Sequence, residues 1–147
     1  MKKRGLVMTG LLVLSIMAAT QVARAQQLMV VDIPFAFVAG QTTLPAGEYY
    51  VDTSSNNSAL LLTHRGNPNA SAIVLTMTAP TIEPHSDSKL LFHRYGNRYF
   101  LSQCWMAGAS SSRQLRKSER EKEIALVASI PAPKQVLVTA RLNSPQR

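Results

Sequence analysis

The sequence predicts a mainly β protein: a single antiparallel meander forming a small barrel or sandwich, with one short helix before the last strand. Three observations carry this. Apolar and β-branched runs of about six to ten residues recur along the chain, each bounded by clusters of Gly, Pro, Asn or Ser. Only one segment, about 119–128, has the capping and charge placement of a helix. An open sheet of about six or seven such strands would leave its edges exposed, and closing it hides them.

The first residues set the domain organisation. Lys2, Lys3 and Arg4 form a basic cluster, "LVMTGLLVLSIMAAT" is apolar, and "ARA" at Ala23 to Ala25 is a small-x-small cleavage site. That order is a secretory leader cut after Ala25. Its apolar run falls short of the about 20 residues that span a bilayer. The expected organisation is a signal peptide over 1–25 and one β-rich domain over 26–147. The product is exported, periplasmic or extracellular, with no membrane span after cleavage.

Losing the leader changes the charge. The 147-residue chain carries 16 Lys+Arg against 8 Asp+Glu, for +8. Lys2, Lys3, Arg4 and Arg24 leave with the leader, so 12 basic residues face 8 acidic ones and the mature balance is +4. An excess that mild keeps a small domain soluble and does not mark a nucleic-acid binder. Cys104 is the single cysteine, so no intrachain disulfide forms and the fold must be held by its core.

Each element then has a local reason. "LMVVDIPFAFVAG" is apolar and β-branched, with Pro34 marking an edge or a bend because proline lacks the ladder N–H. "LPAGEYYVDT" turns at Pro-Ala-Gly into a strand from Glu48 to Thr53. "SSNNS" is a turn cluster, "ALLLTHR" a strand, and "GNPN" another turn. In "ASAIVLTMTAP", Ile73, Leu75 and Met77 alternate with Val74, Thr76 and Thr78, the pattern of a half-buried strand. After the polar loop "TIEPHSDS", "KLLFHRY" and "RYFLSQCWM" flank Gly96-Asn97, a two-residue hairpin with glycine first, as a type II′ turn requires. "GASSSR" reads as a Gly/Ser-rich linker. In "KSEREKEIALVAS", Ser118 and Glu121 form a capping-box pair, and acidic residues fill the first turns. Ile124 and Val127 share a face, and so short a helix needs that face packed on the sheet. "IPAP" stops the helix, and "KQVLVTARL" is the last strand.

The hairpin register pairs Tyr95 with Arg98, Arg94 with Tyr99 and His93 with Phe100. Each Tyr–Arg pair stacks a guanidinium on a ring, which accounts for the composition of "FHRYGNRY" without a ligand. The functional reading of Arg94, Tyr95, Arg98 and Tyr99 is a surface that meets sugars or an anionic glycan. Continued, the same register sets Lys89 opposite Cys104 and leaves Cys104 roughly 13 Å along the strand from His93, too far for a thiolate–imidazole pair. Cys104 then reads as an inert buried thiol. His64, His85 and His93 lack metal-ligand spacing. Glu83 and Asp87 flank His85 in one loop, and G-x-S-x-G, H-E-x-x-H and phosphate-loop motifs are absent from the sequence. Arg113, Arg116 and Lys117 precede the helix. They read as a solvated lead-in, or as a small anion-facing patch beside the helix N-terminus.

The segments "IPFAFVAGQTTLPAGEYYV", "LLFHRYGNRYFLSQCWMAG" and "LRKSEREKEIAL", together spanning Ile33 to Leu126, resemble small secreted proteins of unknown function common in acidobacterial genomes. The resemblance implies secretion and a compact β domain, and it supplies no catalytic residue. The expected function is an exported, non-catalytic β domain for binding or cell-envelope interaction. Its partner would be an envelope polymer or another protein, with no cofactor, no metal and no nucleic acid. The alternative is a small-ligand carrier with an apolar barrel interior. A hydrolase built around His85 comes third.

Overall fold

The computed structural model describes residues 28–53, 58–127 and 132–142. The expected leader and most of the "SSNNS" turn lie outside them, as do residue 128 of the expected helix and the start of "IPAP". The described residues form ten strands and one helix. These are β1 (Leu28–Ile33), β2 (Phe37–Ala39), β3 (Thr42–Leu44), β4 (Gly47–Asp52), β5 (Ala59–His64), β6 (Ser71–Pro80), β7 (Lys89–Tyr95), β8 (Arg98–Trp105), β9 (Ser111–Leu115), α1 (Glu119–Val127) and β10 (Lys134–Leu142). Among these residues no helix is long and apolar enough to cross a membrane.

Of barrel and sandwich, the chain forms the barrel. The strands run β8-β7-β10-β1-β4-β5-β6-β9, every pairing antiparallel, and β9 pairs back onto β8 to close the ring. Closure depends on strands that change partner along their length. β6 pairs β5 through Ser71–Leu75 and β9 through Thr76–Pro80. β10 pairs β7 through Lys134–Thr139 and then β1 through Ala140–Leu142. The seam itself is narrow: Gln103 opposes Gln114 and Cys104 opposes Arg113. Beside it the β2–β3 hairpin joins β8 by one parallel pairing, Val38 with Phe100. Its turn lies against β6, where a Cβ on Gly40 would stand 3.2 Å from Val74.

Alternation along the strands turns one row inward. Met29, Val31, Ile33, Tyr49, Val51, Leu60, Leu62, Leu90 and Phe92 are fully buried, joined by Phe37 and Leu44 from the hairpin. Burying each aliphatic or aromatic side chain contributes about 1.5–3 kcal/mol, which holds together a domain whose one thiol is unpaired. On β6 the bulkier row faces out. Ala72, Val74 and Thr76 are buried, while Ile73 and Leu75 are each 76% exposed. Small residues suit this wall because the hairpin backbone at Gly40 comes so close to it.

Three expectations are corrected. "GASSSR" is not a linker: Ser111–Leu115 is β9, the strand that closes the barrel. Its composition carries no strand signal, and the segment is extended because β6 and β8 flank it on both edges. The hairpin ladder also shifts by one between Leu91 and Phe92, leaving Ser102 as the extra residue. Leu90 therefore opposes Cys104, and Lys89 opposes Trp105. Such a bulge adds local twist where β8 must bend toward β9. Finally, α1 does not dock through Ile124 and Val127. Val127 and Leu126 are each 85% exposed, and the buried residue of the helix is Glu121.

Candidate functional site

The β7–β8 hairpin turns at Gly96 with φ +60°, while Asn97 keeps a negative φ, the type II′ geometry that glycine permits. Its residues divide between two faces. Arg94 and Tyr99 continue the inward row of Leu90 and Phe92 to the barrel mouth, whereas His93, Tyr95, Arg98 and Phe100 lie on the opposite face.

At the mouth, the Arg94 guanidinium lies 5.5 Å from the centre of the Tyr99 ring, and its Nε donates to the Gly96 carbonyl at 2.7 Å. Tyr99 stacks on Phe35 at 3.8 Å. Edge contacts continue inward from Phe35 to Phe92, Phe37, Tyr49 and His64, at 5.1, 5.4, 5.4 and 5.0 Å in turn. A column of rings thus runs across the interior from β8 to β5, each pair adding about 0.5–1.5 kcal/mol to its burial. It ends on His64, whose Nδ1 accepts from the backbone N–H groups of Gly66 and Asn67, both at 3.0 Å.

On the outer face α1 is held by a buried polar triad. Glu121 Oε1 accepts from His93 Nδ1 at 2.8 Å and from the Tyr95 hydroxyl at 3.2 Å. Burial, and then the Glu121 carboxylate, push the Tyr95 phenol up to about 12. Ser118 caps the helix by accepting from the Glu121 N–H at 3.1 Å. This is half of the expected capping box, because the Glu121 side chain is turned to the sheet. The expected stacking is likewise half present: Arg94 lies over Tyr99, but Tyr95 is buried against Phe100 and Glu121.

Arg98 is left exposed between two clefts. One, of about 330 Å³, lies between the β2–β3 hairpin and β8, and Arg120 of α1 reaches into it with Nη1 3.4 Å from the Thr43 hydroxyl. Among the described residues no acidic one lines it. The other, of about 530 Å³, runs between the hairpin tip and Glu123, Ile124 and Val127 of α1. Among the described residues Arg98 has no ion-pair or side-chain hydrogen-bond partner.

The remaining candidates are dispersed. Arg113 sits in β9 opposite Thr78 and Cys104, while Arg116 and Lys117 are exposed between β9 and the helix. Cys104 is fully buried in the core, and burial raises its thiol to about 12. His93 is on the other face of the sheet. His85 stacks on Trp105 at 4.4 Å, with Lys89 Nζ 5.4 Å from the same ring centre. The three histidines are therefore engaged at three separate places.

Two residues that matter here escape a reading of the sequence. Glu121 signals only a cap, and its role as an anchor requires His93 and Tyr95 to be brought beneath it. Arg120 is one of five basic residues between Arg113 and Lys122, and only the docking of α1 selects it. Comparison with known protein families, with curated proteins and with solved structures finds no match to this chain.

Proposed function

We propose that the protein is an exported, non-catalytic β-barrel module that binds at the outer rim of its β7–β8 hairpin, to an envelope polymer or another envelope component. The observation that carries this reading is Arg98, an exposed cation without a partner among the described residues, set between two clefts beside a second arginine, Arg120. A cation left unpaired at a concave rim is available to an outside anion, whereas an ion-paired surface arginine is already engaged.

The interior supports a surface binder over a carrier. Phe37, Tyr49 and Phe92 occupy it as part of a packed column, and Tyr99 with Phe35 stoppers the hairpin end. The chemistry supports binding over turnover. Burial removes Cys104 from reaction with its thiol held protonated, and each histidine ring is held by structural contacts. Export rests on the leader-like N-terminus of the sequence.

Cosedimentation with isolated cell-envelope polymer tests the reading. Retention at low salt that fades between about 0.05 and 0.5 M is expected, since exposed charges are screened over this range. Retention that ignores salt, or none at all, would refute it. Native mass spectrometry showing a copurified apolar molecule would instead favour the carrier.

A further inference from the structure

We infer that the cleft between the β2–β3 hairpin and β8 is a subsite for one oxyanion-bearing group of monosaccharide size, gripped between Arg98 and Arg120. The inference rests on the surface-binding reading above and names the chemistry its rim takes.

The cleft has the size, charge and lining for such a group. Its about 330 Å³ corresponds to about eleven water volumes at ~30 Å³ each, enough for one sugar ring with its substituents. Ligand pockets begin at about this volume. The two arginines come from different elements, β8 and α1, and among the described residues no carboxylate lines the space they share. Guanidinium groups match carboxylate and phosphate alike through paired N–H donors. Neutral polar groups stand beside them, the Thr43 hydroxyl and the Asn97 amide, as hydroxyl-bearing ligands require. The apolar surface of Phe37, Val38 and Phe100 completes the lining and suits the C–H face of a sugar.

Arg120 is placed by the buried anchor next to it. Glu121 fixes the first turn of α1 on His93 and Tyr95, which points the preceding residue toward Thr43. The subsite is therefore completed by the docking of the helix.

Isothermal titration of the protein with a galacturonate trimer, a neutral galactose trimer and inorganic phosphate tests the inference. The acidic trimer should bind at least tenfold more tightly than the neutral one. Arg98→Gln and Arg120→Gln should each weaken it tenfold or more, and Arg141→Gln, on β10 opposite Val30 and outside the cleft, should stay within twofold. All three side chains are exposed, so the variants keep the fold. Inorganic phosphate that displaces the trimer at matched concentration would identify phosphate as the preferred oxyanion. Failure to displace would identify carboxylate, and either result upholds the subsite. If the trimer binds but neither cleft variant weakens it, or Arg141→Gln weakens it equally, the subsite is wrong while rim binding stands. If acidic and neutral trimers bind alike, the oxyanion assignment is wrong. If neither trimer nor phosphate binds, the subsite is refuted, and absence of salt-sensitive retention on envelope polymer would then refute the wider reading as well.

Discussion

Replacing Glu121 tests how α1 is attached. Its carboxylate is 4% exposed and accepts from two donors. Hydrogen bonds to a charged group contribute about 1.5–3 kcal/mol each. In Glu121→Ala the His93 ring, 16% exposed, can still reach water, so its share falls at the low end. The Tyr95 hydroxyl has no such recourse, because Tyr95 is 6% exposed. The loss should total about 3 kcal/mol, while the Ser118 cap survives because it uses the backbone N–H. For a domain of this size about 1 kcal/mol lowers Tm by about 4 °C, so Glu121→Ala should melt about 12 °C lower. Glu121→Gln keeps an acceptor oxygen, loses the charge and should cost about 1 kcal/mol, or about 4 °C. A second readout separates anchoring from general packing. The Glu121 charge and hydrogen bond both raise the Tyr95 phenol, after burial, to about 12. Titration followed by tyrosinate absorbance should therefore find this phenol ionising at lower pH in Glu121→Gln, even where the melting point hardly moves. A Tm within about 2 °C of wild type for Glu121→Ala, with the phenol unmoved in the Gln variant, would refute the anchor.

Other expectations follow from the same structure. Phe35→Ala removes a ring stacked on Tyr99 and edge-on to Phe92. It should cost about 2–3 kcal/mol in urea unfolding, and a loss below about 1 kcal/mol would mean the column adds little. Gly47→Ala meets two obstacles, a φ of +148° and a collision of the new Cβ with Nε2 of His64. It should lose at least about 2 kcal/mol, and less in a His64→Ala background, where only the backbone strain of about 1–3 kcal/mol persists. Equal losses in both backgrounds would remove the collision from the account. Alkali should unfold the protein. Tyr95 and Cys104 are both raised to about 12 in the fold, from 10.0 and 9.0. Groups raised in this way favour the native state below their unfolded values, and that preference is lost as pH climbs through the folded ones. Melting temperature should hold to about pH 9 and fall toward pH 12, with Cys104 unreactive to thiol reagents until unfolding. A flat profile to pH 12 would contradict the burial of both groups.

Features governed by neighbours along the chain are legible in the sequence. The Gly96-Asn97 turn, the cross-strand partners next to it and the Ser118 cap each depend on a few consecutive residues. So does the burial of alternate residues in strands such as β1 and β4. The site is legible only in part. Arg94, Tyr95, Arg98 and Tyr99 stand out as one cluster, but not their division between the barrel mouth and the outer face, because facing has no meaning until the sheet curves.

Residue order is enough to make the chain β-rich, to place its hairpin turn and the start of its helix, and to deny it a disulfide staple. Barrel over sandwich is a tertiary outcome, since closure depends on β6 and β10 changing partners along their length. So is the strand at "SSRQL", because a polar segment becomes extended only when strands remote in sequence offer both edges. The buried row of β6 is chosen in the same way: alternation favours burying Ile73, Leu75 and Met77, but the close approach of the β2–β3 hairpin turns the smaller Ala72, Val74 and Thr76 inward instead. Packing also turns Glu121 from a cap into an anchor and Arg120 from one basic residue among five into the wall of a cleft. Local physics chooses elements, whereas the partners of a side chain are set by elements dozens of residues away.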